Sequence, residues 1–170
     1  MSPEPRSTIT AGTDGSSRGN PGAAGWAWAV SETEWASGGW ARETNNVAEL
    51  TALRELLTAV PPTTSLEVRS DSTYVIDALV GRGGKRPWIA GWKRNAWRTA
   101  AGGAVANQAL MIAVDELLTA RTATTTITWV KAHKTSGGDP FNEMADRRAH
   151  AAATAFLEGR EPDGGPGLRG

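Results

Sequence analysis

The sequence predicts one α/β domain, built from a five-stranded sheet of mixed strand direction with helices packed on it. Two observations point to this class. Three β-prone segments come first and are followed by alternating helical and β-prone segments, in the order βββαβααβα. The chain of 170 residues suits one domain with a hydrophobic core, and two full domains are not expected.

Five segments have the residues that favour strands, and Gly, Pro, Asn or Asp bound them. The first is rich in Thr, the third contains two Trp, and the last is a β-branched run. The turn after the first segment, GSSRGNPG, holds three Gly, one Asn and one Pro, so the first two strands are expected to form a hairpin. The predicted strands cover residues 7–13, 24–30, 34–41, 66–70 and 124–130.

The helices are predicted from apolar residues at helical spacing. Those of the first helix are spaced three, four and three apart, which is the pattern of an amphipathic helix. They are Leu50, Leu53, Leu57 and Val60. Pro61 and Pro62 end this helix, and Ser72 can cap the next one. The predicted helices cover residues 45–60, 73–81, 104–121 and 141–158.

The two ends of the chain are expected to be disordered. These are residues 1–6 and the tail 159–170, which has five Gly and two Pro, so the folded domain is expected at 7–158. The sequence contains no Cys, which excludes disulfides, Cys-ligated zinc and thiol catalysis. No apolar run is long enough to span a bilayer, and the first residues do not form a signal peptide. We therefore expect a cytoplasmic protein without a membrane partner.

A basic segment interrupts a chain whose net charge is zero. Between Asp77 and Asp115 there is no acidic residue, while residues 82–98 carry six positive charges. Such a segment on an acidic body suggests an anionic partner, although a solvated surface has the same composition. The charges are Arg82, Lys85, Arg86, Lys93, Arg94 and Arg98, and the segment also holds Trp88, Trp92 and Trp97.

Two acidic residues follow strands that are expected to be neighbours. Asp14 and Asp71 each come after a β-prone segment, and each alone is typical of a turn or of a helix start. Two carboxylates brought together raise one another's pKa unless a cation lies between them. Oxygen ligands without Cys or His favour Mg²⁺ or Mn²⁺ over zinc.

Two further acids have two readings each. Glu49 is three residues after Asn46, as in a helix capping box, yet it also lines up with Leu53 beside the apolar stripe. A carboxylate there is costly unless it is paired, protonated or bound to metal. Asp146 reads as a solvated helix residue, but it shares a face with Ala149 that is able to pack.

Five motifs occur in order along the chain: TDGSSRGNPGAAG, TNNVAEL, SDSTYV, WVKAH and NEMADRRA. In this order and spacing they resemble the signature of ribonuclease H, bacterial type I. The resemblance extends from about Thr10 to Phe156 and implies a ribonuclease-H-like fold with the basic segment 82–98 as a short helical protrusion.

The resemblance also implies the activity. It indicates an endonuclease that hydrolyses the RNA strand of an RNA–DNA hybrid and leaves 5′-phosphate and 3′-hydroxyl ends. Two Mg²⁺ ions would act with substrate bound, Mn²⁺ could replace them, and a monomer is expected. The matching metal-binding acids are Asp14, Glu49, Asp71 and Asp146, and the matching mobile catalytic histidine is His133.

The resemblance further implies residues that bind substrate. Backbone groups and amides near the acids are suited to read 2′-hydroxyls and the minor groove: Gly15, Ser16, Asn20, Asn45 and Asn46. Arg42 and Thr44 match part of a pocket for a DNA phosphate, and the protrusion would hold the DNA strand with Lys85, Arg86, Trp88, Trp92, Lys93 and Arg94. Turn, cap and packing roles are the alternatives for these residues. Gly91 and Thr73 depart from the Asn and Gln usual in the family.

Two alternatives remain at this level. The chain could be a hybrid-binding module with an inactive site, although all four acids and the histidine are present. It could also be another nuclease of the ribonuclease-H-like superfamily, such as a resolvase or transposase core, which would lack the TNN helix start and the Trp-bearing protrusion.

Overall fold

A computed structural model describes residues 6–132 and 137–169. The strands are β1 (Thr8–Arg18), β2 (Gly22–Ser31), β3 (Glu34–Glu43), β4 (Ser65–Ser70) and β5 (Thr125–Trp129). The helices are α1 (Asn45–Ala59), α2 (Thr73–Leu79), α3 (Trp88–Arg94), α4 (Gln108–Thr119) and α5 (Pro140–Leu157). The predicted order of elements is confirmed, and α3 is the short helix of the basic protrusion.

The sheet has mixed direction, as predicted, with the strand order β3-β2-β1-β4-β5. The first three strands form an antiparallel meander, and β1 pairs with β4, and β4 with β5, in parallel. Strand β1 is the third of the five strands in this order and therefore the central one. It has an antiparallel partner on one side and a parallel partner on the other. Parallel pairing also requires crossover connections, which α1 provides between β3 and β4.

Strand β1 is longer than the sequence predicted. Its pairing with β4 ends at Thr13 opposite Ser70, but its pairing with β2 continues to Arg18. Asp14 therefore does not end a strand: it lies inside β1, at the point where the parallel partner ends. The hairpin with β2 supplies the hydrogen bonds that keep the chain extended past this residue.

The two faces of the sheet are covered differently. The main core lies between one face and helices α1, α2 and α4, and includes Trp28, Leu50, Leu53 and Met111. The other face is covered by α5, which packs through small residues. A Cβ at Gly25 would collide with the backbone of Ala149, so this glycine allows α5 to lie close to the sheet. No helix in the described ranges has the length and hydropathy needed to cross a membrane.

The predicted disorder of the tail is wrong for residues 159–169, which lie along the outer strand β3. The backbone N–H of Ser37 donates to Gly164 O at 3.1 Å, and the N–H of Gly167 donates to Trp35 O at 2.9 Å. Trp35 and Gly167 form an antiparallel bridge. An edge strand has unpaired backbone groups, and the tail satisfies part of them, which is why a Gly- and Pro-rich segment is ordered here.

A buried carboxylate holds both ends of the described chain at this edge. Glu34 accepts two hydrogen bonds from the Arg6 guanidinium, at 2.9 and 2.6 Å, and one from the backbone N–H of Arg169 at 2.9 Å. The Arg6 guanidinium lowers the pKa of Glu34. Arg6 also donates to the carbonyl of Arg169, so the predicted disorder of the N-terminus does not hold for Arg6. Residues 1–5 lie outside the described ranges.

Two glycines of the tail provide a matched test of its docking. Both have positive φ, +85° at Gly165 and +78° at Gly167, but a Cβ at Gly165 would lie 2.7 Å from the Trp35 ring, whereas open space surrounds Gly167. Gly167→Ala should cost about 1 kcal/mol of backbone strain. Gly165→Ala should detach the tail and expose the Ser37 N–H to faster amide exchange than in Gly167→Ala, as measured by NMR. Equal exchange in the two variants would contradict a docked tail.

Candidate active site

Three carboxyl groups converge at the end of the parallel β1–β4 pairing. They come from Asp14 in β1, Glu49 in α1 and Asp71 directly after β4, and one oxygen of each lies within 4.8 Å of the others. They line an open cleft of about 350 Å³. The sequence predicted that Asp14 and Asp71 would meet, and the register of the two strands accounts for it.

Glu49 reaches this cluster because α1 approaches β1 closely. A Cβ at Gly15 would lie 2.6 Å from the backbone nitrogen of Glu49, so only glycine permits this approach. The capping-box reading of Glu49 is wrong, because Thr44 is the N-cap and accepts from the Val47 N–H. Glu49 is free of that role and is 4% exposed.

Asp146 joins the cluster from α5. It lies on an exposed turn of the helix and lines the same cleft, where it interacts with the Asp14 carboxyl group. A Cβ at Gly12 would collide with the carbonyl of Phe141, so the first turn of α5 lies directly on β1. Asp146 follows Phe141 by five residues, so this contact brings it beside Asp14.

The cluster is strongly acidic and partly buried. Burial, followed by the charges of Glu49 and Asp71, raises the pKa of Asp14 well above its usual range. Burial and the charge of Asp71 raise the pKa of Glu49 to about 8, and burial also raises the pKa of Asp71. No Lys or Arg in the described part of the chain forms an ion pair with these acids. Among the described residues, the negative charges of this cluster therefore have no positively charged partner.

The residues present fit a divalent cation. Glu49 Oε2 is buried and accepts no hydrogen bond from any residue that the structure describes. A buried carboxylate oxygen without a donor is costly, and a bound cation removes that cost. The donors are carboxylate oxygens, which are the ligands that hard divalent ions such as Mg²⁺ and Mn²⁺ prefer. Asp14, Glu49 and Asp71, with Asp146 beside them, would hold such an ion.

The predicted substrate-binding residues around the acids divide into three groups. Gly15, Asn45 and Asn46 line the cleft, as does Thr73, which the sequence singled out as a departure from the family. Asn20 and Thr44 use their side-chain oxygens locally, since Asn20 Oδ1 accepts from the Asn45 N–H and Thr44 caps α1. The remaining two predicted residues of this region are Ser16, which is half-buried in β1, and Arg42, which is exposed in β3.

The protrusion is braced by a row of aromatic rings. Tyr74, Trp88, Trp92 and Trp97 lie in sequence with centroids 5.9, 6.1 and 6.2 Å apart. Trp92 and Trp97 pack against the main core, whereas Trp88 remains 44% exposed. Trp92 and Trp97 therefore have a packing role while remaining half-buried, and Trp88 is the most exposed ring of this row.

The six positive charges of the protrusion are not equivalent. Arg82 pairs with Asp77 at 2.6 Å, and Lys93 pairs with Asp115 of α4 at 2.8 Å. Lys85, Arg86 and Arg94 form no salt bridge with any described acid. Lys85 and Arg86 line a cleft of about 380 Å³ together with Trp88. Gly91, the other departure, lies in α3, where an added Cβ would lie 4.0 Å from Arg94 Nη2.

His133 lies outside the described residues. Ala132, directly before it, lines the acidic cleft. The role that the sequence suggests for His133 therefore stays a prediction.

Sequence reasoning missed two residues that contact the elements of the site. Arg69 of β4 donates to Asp139, which caps α5. Both had a signal in the sequence. Arg69 is two residues before Asp71 and so shares its face of the strand, and an Asp directly before a Pro is typical of a helix start.

Comparisons with known proteins agree with this arrangement. The family model for RNase H matches residues 6–154. A ribonuclease HI from Streptomyces coelicolor is 45% identical over 153 residues, which are 87% of this chain and 62% of that protein. A ribonuclease H from Tropheryma whipplei is 45% identical over 160 residues, which are 94% of this chain and 92% of that protein.

A solved structure has the same fold. It is an RNase H1 of the halophilic archaeon Halobacterium salinarum, with a TM-score of 0.57 and 26% identity over 86% of this chain and 98% of that one. Taken with the four acids gathered where β1 and β4 part, these similarities show that the chain belongs to the ribonuclease H family, in its bacterial type I branch.

Proposed function

We propose that this protein is an endonuclease that hydrolyses the RNA strand of RNA–DNA hybrids with two Mg²⁺ ions, and that Mn²⁺ can replace them. The products are 5′-phosphate and 3′-hydroxyl ends. The observation that carries the proposal is the cluster of three acids without a counter-charge among the described residues, with its unpartnered Glu49 oxygen. Membership of the ribonuclease H family makes a phosphodiester the expected substrate.

The acids set the chemistry. A pair of divalent ions supplies an activated water and stabilises the leaving 3′-oxygen. Asp14, Glu49 and Asp71 provide the oxygens that hold such ions, and Asp146 adds a fourth carboxylate at the exposed side. His133 is proposed to move a proton or to assist product release, and neither role requires it to bind metal.

Substrate choice depends on the 2′-hydroxyl, which RNA alone offers as donor and acceptor. Gly15, Asn45 and Asn46 border the acidic cleft, which supports the proposal that they contact the 2′-hydroxyl. The DNA strand is proposed to lie along the protrusion, against Trp88 and the charges that no described acid neutralises. Arg42 and Thr44 are proposed to contact a DNA phosphate.

The proposal also covers the oligomeric state of the enzyme and its location in the cell. All four acids come from one chain, so a monomer suffices for catalysis. RNA–DNA hybrids form inside cells, and the enzyme is accordingly proposed to act in the cytoplasm.

The direct test is cleavage of a hybrid whose RNA is end-labelled. Internal cuts should require Mg²⁺ and stop in EDTA. Asp71→Asn should lower the rate about a thousand-fold, because loss of one metal-holding charge removes several kcal/mol of transition-state stabilisation. Circular dichroism should show that the variant is folded. Equal cleavage of the matching DNA duplex would contradict hybrid specificity, and binding without cleavage would favour the inactive module.

The metal-free protein should lose stability as the pH rises. The pKa of Glu49 is about 8 in the fold against an ordinary 4.5, so the folded state binds this proton more tightly than the unfolded chain. The contribution of Glu49 to stability is therefore fully present below about pH 4.5 and is lost as the pH rises through about 8. Thermal unfolding in EDTA measures this, and Mg²⁺ should restore the loss at pH 8.

Two variants test the origin of that pH dependence. Asp14→Asn should flatten it and raise the Tm at pH 8, because it removes a carboxyl group whose own pKa is raised well above its usual range by burial and by the charge of Glu49. Glu55→Gln is the control, since Glu55 lies in the same helix but pairs with Arg54 outside the cluster. A profile for Asp14→Asn that matches the wild type would contradict electrostatic coupling within the cluster.

Adjacent charges of the protrusion should differ in their effect on binding. Each Lys or Arg that neutralises a phosphate contributes about 0.7–0.9 to the slope of log affinity against log salt. Arg94→Ala should reduce this slope by nearly one contact, whereas Lys93→Ala should reduce it less, because Asp115 already neutralises Lys93. Hybrid binding in Ca²⁺ over a range of salt concentrations measures both. Equal loss in the two variants would show that the Lys93–Asp115 pair opens on binding.

A further inference from the structure

The start of α5 is joined to β4 by one carboxylate. Asp139 Oδ1 accepts from the backbone N–H of Phe141 at 3.0 Å and of Asn142 at 2.9 Å, and so caps the helix. Its other oxygen, Oδ2, accepts from Arg69 Nη1 at 2.6 Å. Arg69 is two residues before Asp71, so the ion pair links the strand that leads to one acid to the helix that carries another.

The surroundings hold this pair in one geometry. Arg69 is the register neighbour of Gly12, whose missing side chain leaves room for the backbone of Phe141. The Arg69 guanidinium lies 5.9 Å from the centre of the Phe141 ring and also pairs with Glu67 at 3.0 Å. The side chain of Asp139 is 10% exposed. The pair is therefore more sheltered than an ordinary surface salt bridge, which contributes little.

The pair joins the start of α5 to β4. The helix packs on β1, β2 and β3 and has few contacts with β4. Asp146 is seven residues beyond Asp139, about 10 Å along the helix. A tilt of the helix at its first turn therefore changes the separation between Asp146 and Asp71, and reacting groups must be held within about 0.5 Å.

We propose that Arg69 is a positioning residue, which sets Asp146 relative to Asp71 by holding the Asp139 cap of α5. The inference rests on the proposed function of the acidic cluster. Arg69 is not among the described residues that line the acidic cleft, so its proposed role does not include contact with substrate or metal. Arg69 instead fixes the position at which α5 begins. That position determines how closely the four carboxylates could surround a pair of divalent ions.

The decisive comparison separates the cap from the ion pair. Asp139→Asn keeps a good N-cap residue but removes the charge, and Arg69→Met removes the guanidinium at similar length. Each should lower kcat and raise the Mg²⁺ concentration for half-maximal rate about 10-fold, as loss of a residue that orients a ligand does, while the KM for hybrid is unchanged. Combined, they should cost no more than either alone, because both remove one interaction. Arg69→Lys, which keeps the charge, should recover part of the rate.

A second readout does not depend on cleavage. Mg²⁺ raises the Tm by binding the folded state, and Arg69→Met and Asp139→Asn should need about 10-fold more Mg²⁺ for the same rise. Arg160→Met, which breaks an exposed pair with Glu158 in the tail region, is the matched control and should behave as wild type.

The outcomes separate the two proposals. A wild-type protein that does not cut hybrids refutes the proposed function, and the Mg²⁺-dependent Tm still tests Arg69. A wild-type protein that cuts hybrids, together with Arg69 and Asp139 variants that lose only metal-free Tm and keep kcat and the Mg²⁺ requirement, refutes positioning. If Arg69→Met does not fold, Arg69→Lys and Asp139→Asn decide the question by the same measurements.

Discussion

The main physical constraint on this protein is that carboxylates that repel one another are held together where the pairing of β1 and β4 ends. Asp14 and Glu49 are almost fully buried, Asp71 is beside them, and no described Lys or Arg pairs with them. Such a cluster opposes folding in the absence of metal, as the raised pKa values indicate. The rest of the fold must supply the stability that keeps these groups together, and a bound cation converts the repulsion into affinity.

Close backbone packing provides that stability. Gly12 and Gly15, three residues apart in β1, admit the first turn of α5 and the start of α1 from the two sides of the sheet. The parallel register of β1 and β4 then places Asp71 beside Asp14. Two helices that are far apart in sequence are thus held against one strand by contacts too close for any side chain, and β4 is held there by parallel pairing. Rigid backbone contacts are suited to holding charged groups that repel one another, because flexible side chains would move apart.

The β3 edge and the protrusion differ in whether their positively charged side chains have acidic partners. At the β3 edge, most arginines are used internally, as in the Arg6–Glu34 pair that secures the tail. At the protrusion, several cations have no described acidic partner and an exposed Trp88 lies next to them. Distribution of charge, rather than net charge, therefore favours an anionic strand on one side of the acidic cleft. The same comparison explains why a tail that composition marks as disordered is docked: its partners are backbone groups and one buried carboxylate on a distant strand.

The sequence by itself determined the class of fold, the order of the elements and the candidate acids, because strand and helix periodicity and short motifs are local properties. It also determined that Asp14 and Asp71 belong together, since both follow β-prone segments. Only the tertiary structure decided that Asp14 lies within a strand, because the hairpin partner extends β1 beyond its own propensity. The structure alone shows that Thr44 caps α1, so that Glu49 has no capping role. It also shows the ion pairs of Lys93 with Asp115 and of Arg69 with Asp139. The two ion pairs join residues 22 and 70 positions apart, the extension of β1 depends on its pairing with β2, and the cap depends on competition between neighbouring residues. The pattern within any one segment does not contain that information.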